Sequence, residues 1–273
     1  MRLGLEAGKH TLDLAVEEGV KGVPISADKL VADGVEATLA TLRERGLEPC
    51  QIGAFGYNPL STDTERQTAQ AKMLEQAIPL AAETGCPYIV ICGGNYHPSG
   101  YGAGDVRNFT PEALDAVARA LEPMLDLAES NDVRLSIEPY VKTAICSPEA
   151  FLALKEKAGS DALRVNLDVT SFYGLDEMWD PSEKVEEVCT KLAGHYGLGH
   201  IKGIALAEGF HIHIGLAPIA EDPTDWAQML KLAAPHLPED SWMVLEHVMS
   251  VEEGRGSLKR VREAAGKAGV VLE

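Results

Sequence analysis

With 273 residues, 45% of them hydrophobic and 24% charged, the chain can bury a large core and has the composition of an ordinary globular protein. A formal charge of −18, with Lys and Arg nowhere clustered, speaks against a nucleic-acid partner. No apolar run approaches the length of a membrane span, no secretion-signal pattern follows Met1, and the five cysteines are odd in number without ligand spacing, so the expectation is a reduced, cytoplasmic protein with no membrane partner.

Taken in order, strand-like and helix-like runs alternate. A first strand over residues 3–6 ends in Glu6, and a helix follows over 11–18, closed by Gly19. The apolar segment 20–25 leads into a helix over 28–45, whose Leu30, Val31, Val35, Leu39 and Leu42 share one face. Residues 49–54 form the third strand. Thr62 and Glu65 read as a capping box for the long helix after it. Tyr88-Ile-Val-Ile-Cys92 has the continuous apolar pattern of a strand buried on both faces, and it empties into a glycine-rich loop carrying His97. Thr110-Pro111 and Ser147-Pro148 each open a helix by the N-cap and proline-first rule. The final helix is expected over 257–268. Eight such units in one composition regime imply a closed (β/α)8 TIM barrel forming one domain over residues 1–273. A doubly wound open sheet would more naturally carry a glycine fingerprint after its first strand, and Glu6-Ala-Gly-Lys is not one.

Four of the strand-like runs carry chemistry. Arg134-Leu-Ser-Ile-Glu138 ends in a carboxylate and is stopped by Pro139. Leu163-Arg-Val-Asn-Leu-Asp168 ends in Asp168, Gly199-His200-Ile-Lys202 begins with its histidine, and Trp242-Met-Val-Leu-Glu246 ends in Glu246. Strand C-termini of a barrel face one mouth, where active sites sit. Glu138, Asp168, His200 and Glu246 are therefore candidate metal ligands. Three carboxylates and one imidazole make a hard site that favours Mn²⁺ or Mg²⁺ over Co²⁺ or Zn²⁺.

Ile137-Glu138-Pro139, Asn166-Leu-Asp168, His200-Ile-Lys202, His213-Ile-Gly215 and Leu245-Glu246 resemble, in order and spacing, the xylose isomerase-like superfamily of TIM barrels. That group includes sugar isomerases, ketose 3-epimerases, inosose dehydratases and endonuclease IV. The resemblance covers essentially the whole chain and implies one divalent metal on Glu138, Asp168, His200 and Glu246. The chain departs from the pattern at Ser171, where many relatives have His, and at Gly203, where many have Asp.

The expected function is a metal-dependent sugar or keto-sugar isomerase or epimerase. The metal would act as Lewis acid on a carbonyl and stabilise an enediolate, while Glu138 and Glu246, expected on opposite sides of the mouth, move the proton as the catalytic pair. An inosose- or dehydroshikimate-type dehydratase is the alternative, followed by an endonuclease IV-like enzyme or a sugar-binding relative without turnover. The partner expected is a small polyhydroxylated substrate, and a homo-oligomer is left open. Substrate-binding candidates are Lys202, His213, His211, His97 and Glu6. His211 and His213 share one face of an extended segment, as substrate contacts, ligands of a second metal, or polar residues of a half-exposed hairpin. His97 reads equally as a pocket residue or a surface-loop histidine.

Overall fold

Runs such as Tyr88-Ile-Val-Ile-Cys92 leave no face for water, and in the computed structural model, which describes residues 1–273, they close into a ring. The strands are β1 (Arg2–Leu5), β2 (Gly22–Ser26), β3 (Glu48–Ala54), β4 (Tyr88–Cys92), β5 (Arg134–Glu138), β6 (Leu163–Leu167), β7 (Tyr196–Ile201) and β10 (Trp242–Leu245), all parallel, in the order β1-β10-β7-β6-β5-β4-β3-β2. Between β7 and β10, β8 (Ile204–Leu206) and β9 (Ile214–Leu216) form a separate antiparallel hairpin outside the ring. The helices are α1 (Thr11–Glu18), α2 (Ala27–Glu44), α3 (Thr64–Thr84), α4 (Pro111–Ser130), α5 (Pro148–Ala158), α6 (Ser182–Lys191), α7 (Trp226–Ala233) and α8 (Val251–Ala268). The chain is a single-domain TIM barrel.

Two hydrophobic layers hold it. A cluster of 64 buried residues lies mainly between the outer strand faces and the helices. A second cluster of Cys50, Tyr88, Val90, Leu198, Trp242 and Val244 fills the barrel interior. Trp242 fits there because β2 gives way: a Cβ on Gly22 would lie 2.5 Å from its ring. Below it the Arg2 guanidinium stacks 3.7 Å from the same ring. The last residues tie back to the first strand, Leu3 N donating to Glu273 O (3.1 Å) and Glu273 N to Met1 O (3.0 Å).

Two strands carry an extra residue. Val23 and Pro24 of β2 face Pro49 and Gln51 of β3, leaving Cys50 as the surplus. Val165 and Leu167 of β6 face Tyr196 and Gly199 of β7, so β7 has one residue too many between them. A bulge of this kind re-aims every side chain beyond it. Tyr196 reaches outward to the Cys189 carbonyl of α6, yet His200, four residues on, points inward.

Several expected boundaries move. Asp63, not Thr62, caps α3, its carboxylate accepting from Arg66 N at 3.0 Å. Helix α8 begins six residues before Ser257, because Ser250 caps it and tolerates Gly254 and Gly256 in the first turns. Helix α2 is interrupted at Gly34, whose φ of 79° is outside the helical region. His200 does not begin its strand. It is the penultimate residue of β7, which places Lys202 just beyond the strand end.

Candidate metal centre

Glu138 closes β5, Asp168 and Glu246 directly follow β6 and β10, and His200 lies near the end of β7. These are four consecutive strands of the ring, all ending at one mouth. One ligand atom from each residue lies within 4.8 Å of all the others, and all four residues are buried. Three hard oxygens and an imidazole converging at such range fit a divalent cation. Glu138 and Glu246 stand three strands apart in the ring rather than directly across it.

The donors are held in place by neighbours. Nδ1 of His200 lies 3.1 Å from Glu246 Oε2 and 3.3 Å from Glu138 Oε1. Its Nε2 lies 2.7 Å from Gln51 Oε1. The amide of Asn166 approaches Nδ1 at 2.8 Å through Nδ2, while its Oδ1 is buried without a partner. Burial opposes charging of His200, but Glu246 and Glu138 outweigh it and carry its pKa up to about 10. Asp168 accepts from Thr170 Oγ1 (2.8 Å) and Ser171 Oγ (2.7 Å).

Lys202 enters the same group. Its ammonium donates to Asp168 Oδ2 and lies 3.2 Å from both Glu246 Oε1 and Ser171 Oγ. Burial would lower its pKa, yet Asp168 and Glu246 push it above the usual lysine range. For Glu246, burial pulls upward, but His200 and Lys202 hold the carboxyl well below the usual range.

The other expected substrate contacts are not gathered here. Glu6 accepts from Gly8 N (2.8 Å) and His247 N (3.0 Å), bracing the loops after β1 and β10. His97 hydrogen-bonds Ser99 within the glycine-rich loop, its Nδ1 2.7 Å from Ser99 Oγ. His211 and His213 are exposed in the β8–β9 connection and share no hydrogen bond with the four donors. Two residues gain importance that their sequence context did not announce: Gln51 and Tyr101. The Tyr101 hydroxyl is buried beside Cys92 and Glu138 without a hydrogen-bond partner of good geometry, and burial raises its pKa. Its loop is pinned by asparagines, with Asn95 N donating to Asn58 Oδ1 (2.8 Å) and Asn108 Nδ2 to Asn95 Oδ1 (2.7 Å).

The family model of xylose isomerase-like TIM barrels matches residues 12–264. The chain belongs to this family. No curated protein matches its sequence. Among solved structures it is similar to a D-tagatose 3-epimerase-like protein, with 15% identity, a TM-score of 0.74 and 98% of each chain covered. A xylose isomerase-like TIM barrel protein from Mycobacterium smegmatis in complex with magnesium is 17% identical, with a TM-score of 0.71 and coverage of 94% of this chain and 88% of that one. The probable 3-DHS dehydratase AsbF from Bacillus anthracis is also 17% identical, with a TM-score of 0.68 and coverage of 96% and 99%. At these identities the likeness is one of fold. This xylose isomerase-like chain uses Ser171, where a histidine was expected from its relatives, to hold Asp168 by a hydroxyl.

Proposed function

We propose that the protein is a divalent-metal-dependent isomerase or epimerase of a small sugar or keto-sugar, working by proton transfer. The observation that carries this reading is the pair of glutamates flanking His200 Nδ1, Glu138 at 3.3 Å and Glu246 at 3.1 Å, on strands three places apart. Moving a proton next to a carbonyl needs a base to remove it and an acid to return it. Two carboxylates approaching one point from different strands supply both.

When bound, a divalent ion on Glu138, Asp168, His200 and Glu246 supplies Lewis acidity toward a carbonyl and its neighbouring hydroxyl. The donor chemistry supports Mn²⁺ or Mg²⁺. Glu138 takes or returns the proton on one face of the substrate and Glu246 on the other. Lys202, beside Asp168 and Glu246, contacts a substrate oxygen.

Turnover in D₂O tests the reading. Deuterium should enter the product at the carbon next to the carbonyl, and Glu138→Gln and Glu246→Gln should each lose catalysis far more than stability. Product without deuterium at initial rate, or Gln variants turning over near the native rate, overturns it. The dehydratase alternative keeps support from the likeness to a probable 3-DHS dehydratase. An enone product absorbing in the ultraviolet would decide for it.

A further inference from the structure

The two ring nitrogens of His200 have different surroundings. Nδ1 faces Glu246 and Glu138, whereas Nε2 points the other way, 2.7 Å from Gln51 Oε1 on β3. An amide oxygen only accepts, so the hydrogen of this bond sits on Nε2. A neutral imidazole with its hydrogen on Nε2 keeps its lone pair on Nδ1. Gln51 reaches the barrel interior only because Cys50 is a surplus residue in β3. Without that bulge, strand alternation would send Gln51 out toward the helices. Both partners are buried, His200 at 0% and Gln51 at 2% exposure, so the bond is shielded from exchange with bulk water. The histidine strand is bulged as well, and the two irregularities together bring the groups face to face.

We propose that Gln51 is a positioning residue that fixes His200 as the Nε2–H tautomer and aims Nδ1 as the ligand nitrogen of the cation site. The assignment rests on the metal-site reading above. Groups that orient a metal-binding histidine through its other nitrogen contribute about 10–100-fold in metal affinity.

Calorimetric titration with Mn²⁺ of the native chain, Gln51→Leu and Gln51→Glu tests it, with circular dichroism and thermal melts to confirm folding. Gln51→Leu, which loses the acceptor, should bind Mn²⁺ about 10–100-fold more weakly than the native chain. Gln51→Glu, which keeps an acceptor, should bind at least as tightly as the native chain. Nitrogen-15 spectra of the histidine-labelled native protein with Mg²⁺ should show the hydrogen on Nε2 and none on Nδ1. A Leu variant with native Mn²⁺ affinity, or spectra placing the hydrogen on Nδ1, overturns the proposal. If Gln51→Leu does not fold, weak binding by Gln51→Glu or the wrong tautomer in the native protein still overturns it. A native chain that binds no Mn²⁺ removes the metal reading itself, and the role of Gln51 with it. Native binding with an unaffected Leu variant removes only the role of Gln51.

Discussion

The Lys202 ammonium lies against Asp168 and Glu246, two of the four candidate donors, so a divalent ion bound there would compete with it for the same carboxylates. Lys202→Met removes a positive charge from beside the site. We expect it to tighten Mn²⁺ binding while lowering turnover, and to destabilise the chelator-treated protein by about 3 kcal/mol, since breaking a buried pair strands its partner. Mn²⁺ titration, a turnover assay and denaturant melts check the three outcomes. At Tyr101 the sign reverses. Its hydroxyl is buried without a well-aligned partner, so Tyr101→Phe should leave stability unchanged or raise it by about 1 kcal/mol in urea unfolding. The convergence of Glu138, Asp168, His200 and Glu246 was legible in the sequence because each sits at or near the end of an apolar run, where a polar group needs a reason. Gln51 was not. In Glu48-Pro-Cys-Gln-Ile-Gly-Ala54 nothing marks Cys50 as a bulge, and strict alternation places Gln51 on the wrong face.

Among the elements, the β8–β9 hairpin explains a residue that departs from the expected pattern. A Cβ on Gly203 would lie 2.2 Å from Ala217 O and 2.7 Å from Pro218 C, backbone atoms that cannot swing aside. Ala217 N also donates to Gly203 O at 2.9 Å, fixing the approach. An aspartate there, as in many relatives, would have to displace this return path. Gly203→Ala should cost about 1–3 kcal/mol by overpacking, read as a lower denaturation midpoint. Strand positions were legible because they are short apolar runs between turn residues. Helix ends were less so. Thr62 and Asp63 are both competent caps, and only the path of the preceding loop selects Asp63. Two glycines in the first turns of α8 hid its true start at Val251.

For the molecule as a whole, the eightfold alternation carried the architecture, since parallel strands joined by helices have few ways to close. The placement of the long loops was beyond such reasoning. His97, His211 and His213 stand in loops, whose direction depends on contacts that no periodicity encodes. Because the donors come from four strands, a bound ion should brace half the ring. Mn²⁺ at a hundredfold excess over its dissociation constant should stabilise the fold by about 2.7 kcal/mol. For a domain of this size that is a rise in Tm of about 5–10 °C, absent in Asp168→Ala. Calorimetric scans with and without Mn²⁺ check it.

The backbone bonds between residues 271–273 and the first strand bring the two chain ends side by side. A ring whose ends already touch has no preferred starting strand, so it can be recut. Joining 273 to 1 by a short linker and opening the chain between Gly209 and Phe210, at the exposed hairpin tip, yields a circular permutant that retains every barrel strand. Such a permutant should fold and bind Mn²⁺ with native affinity, in a barrel whose site is indifferent to the order in which its staves are made.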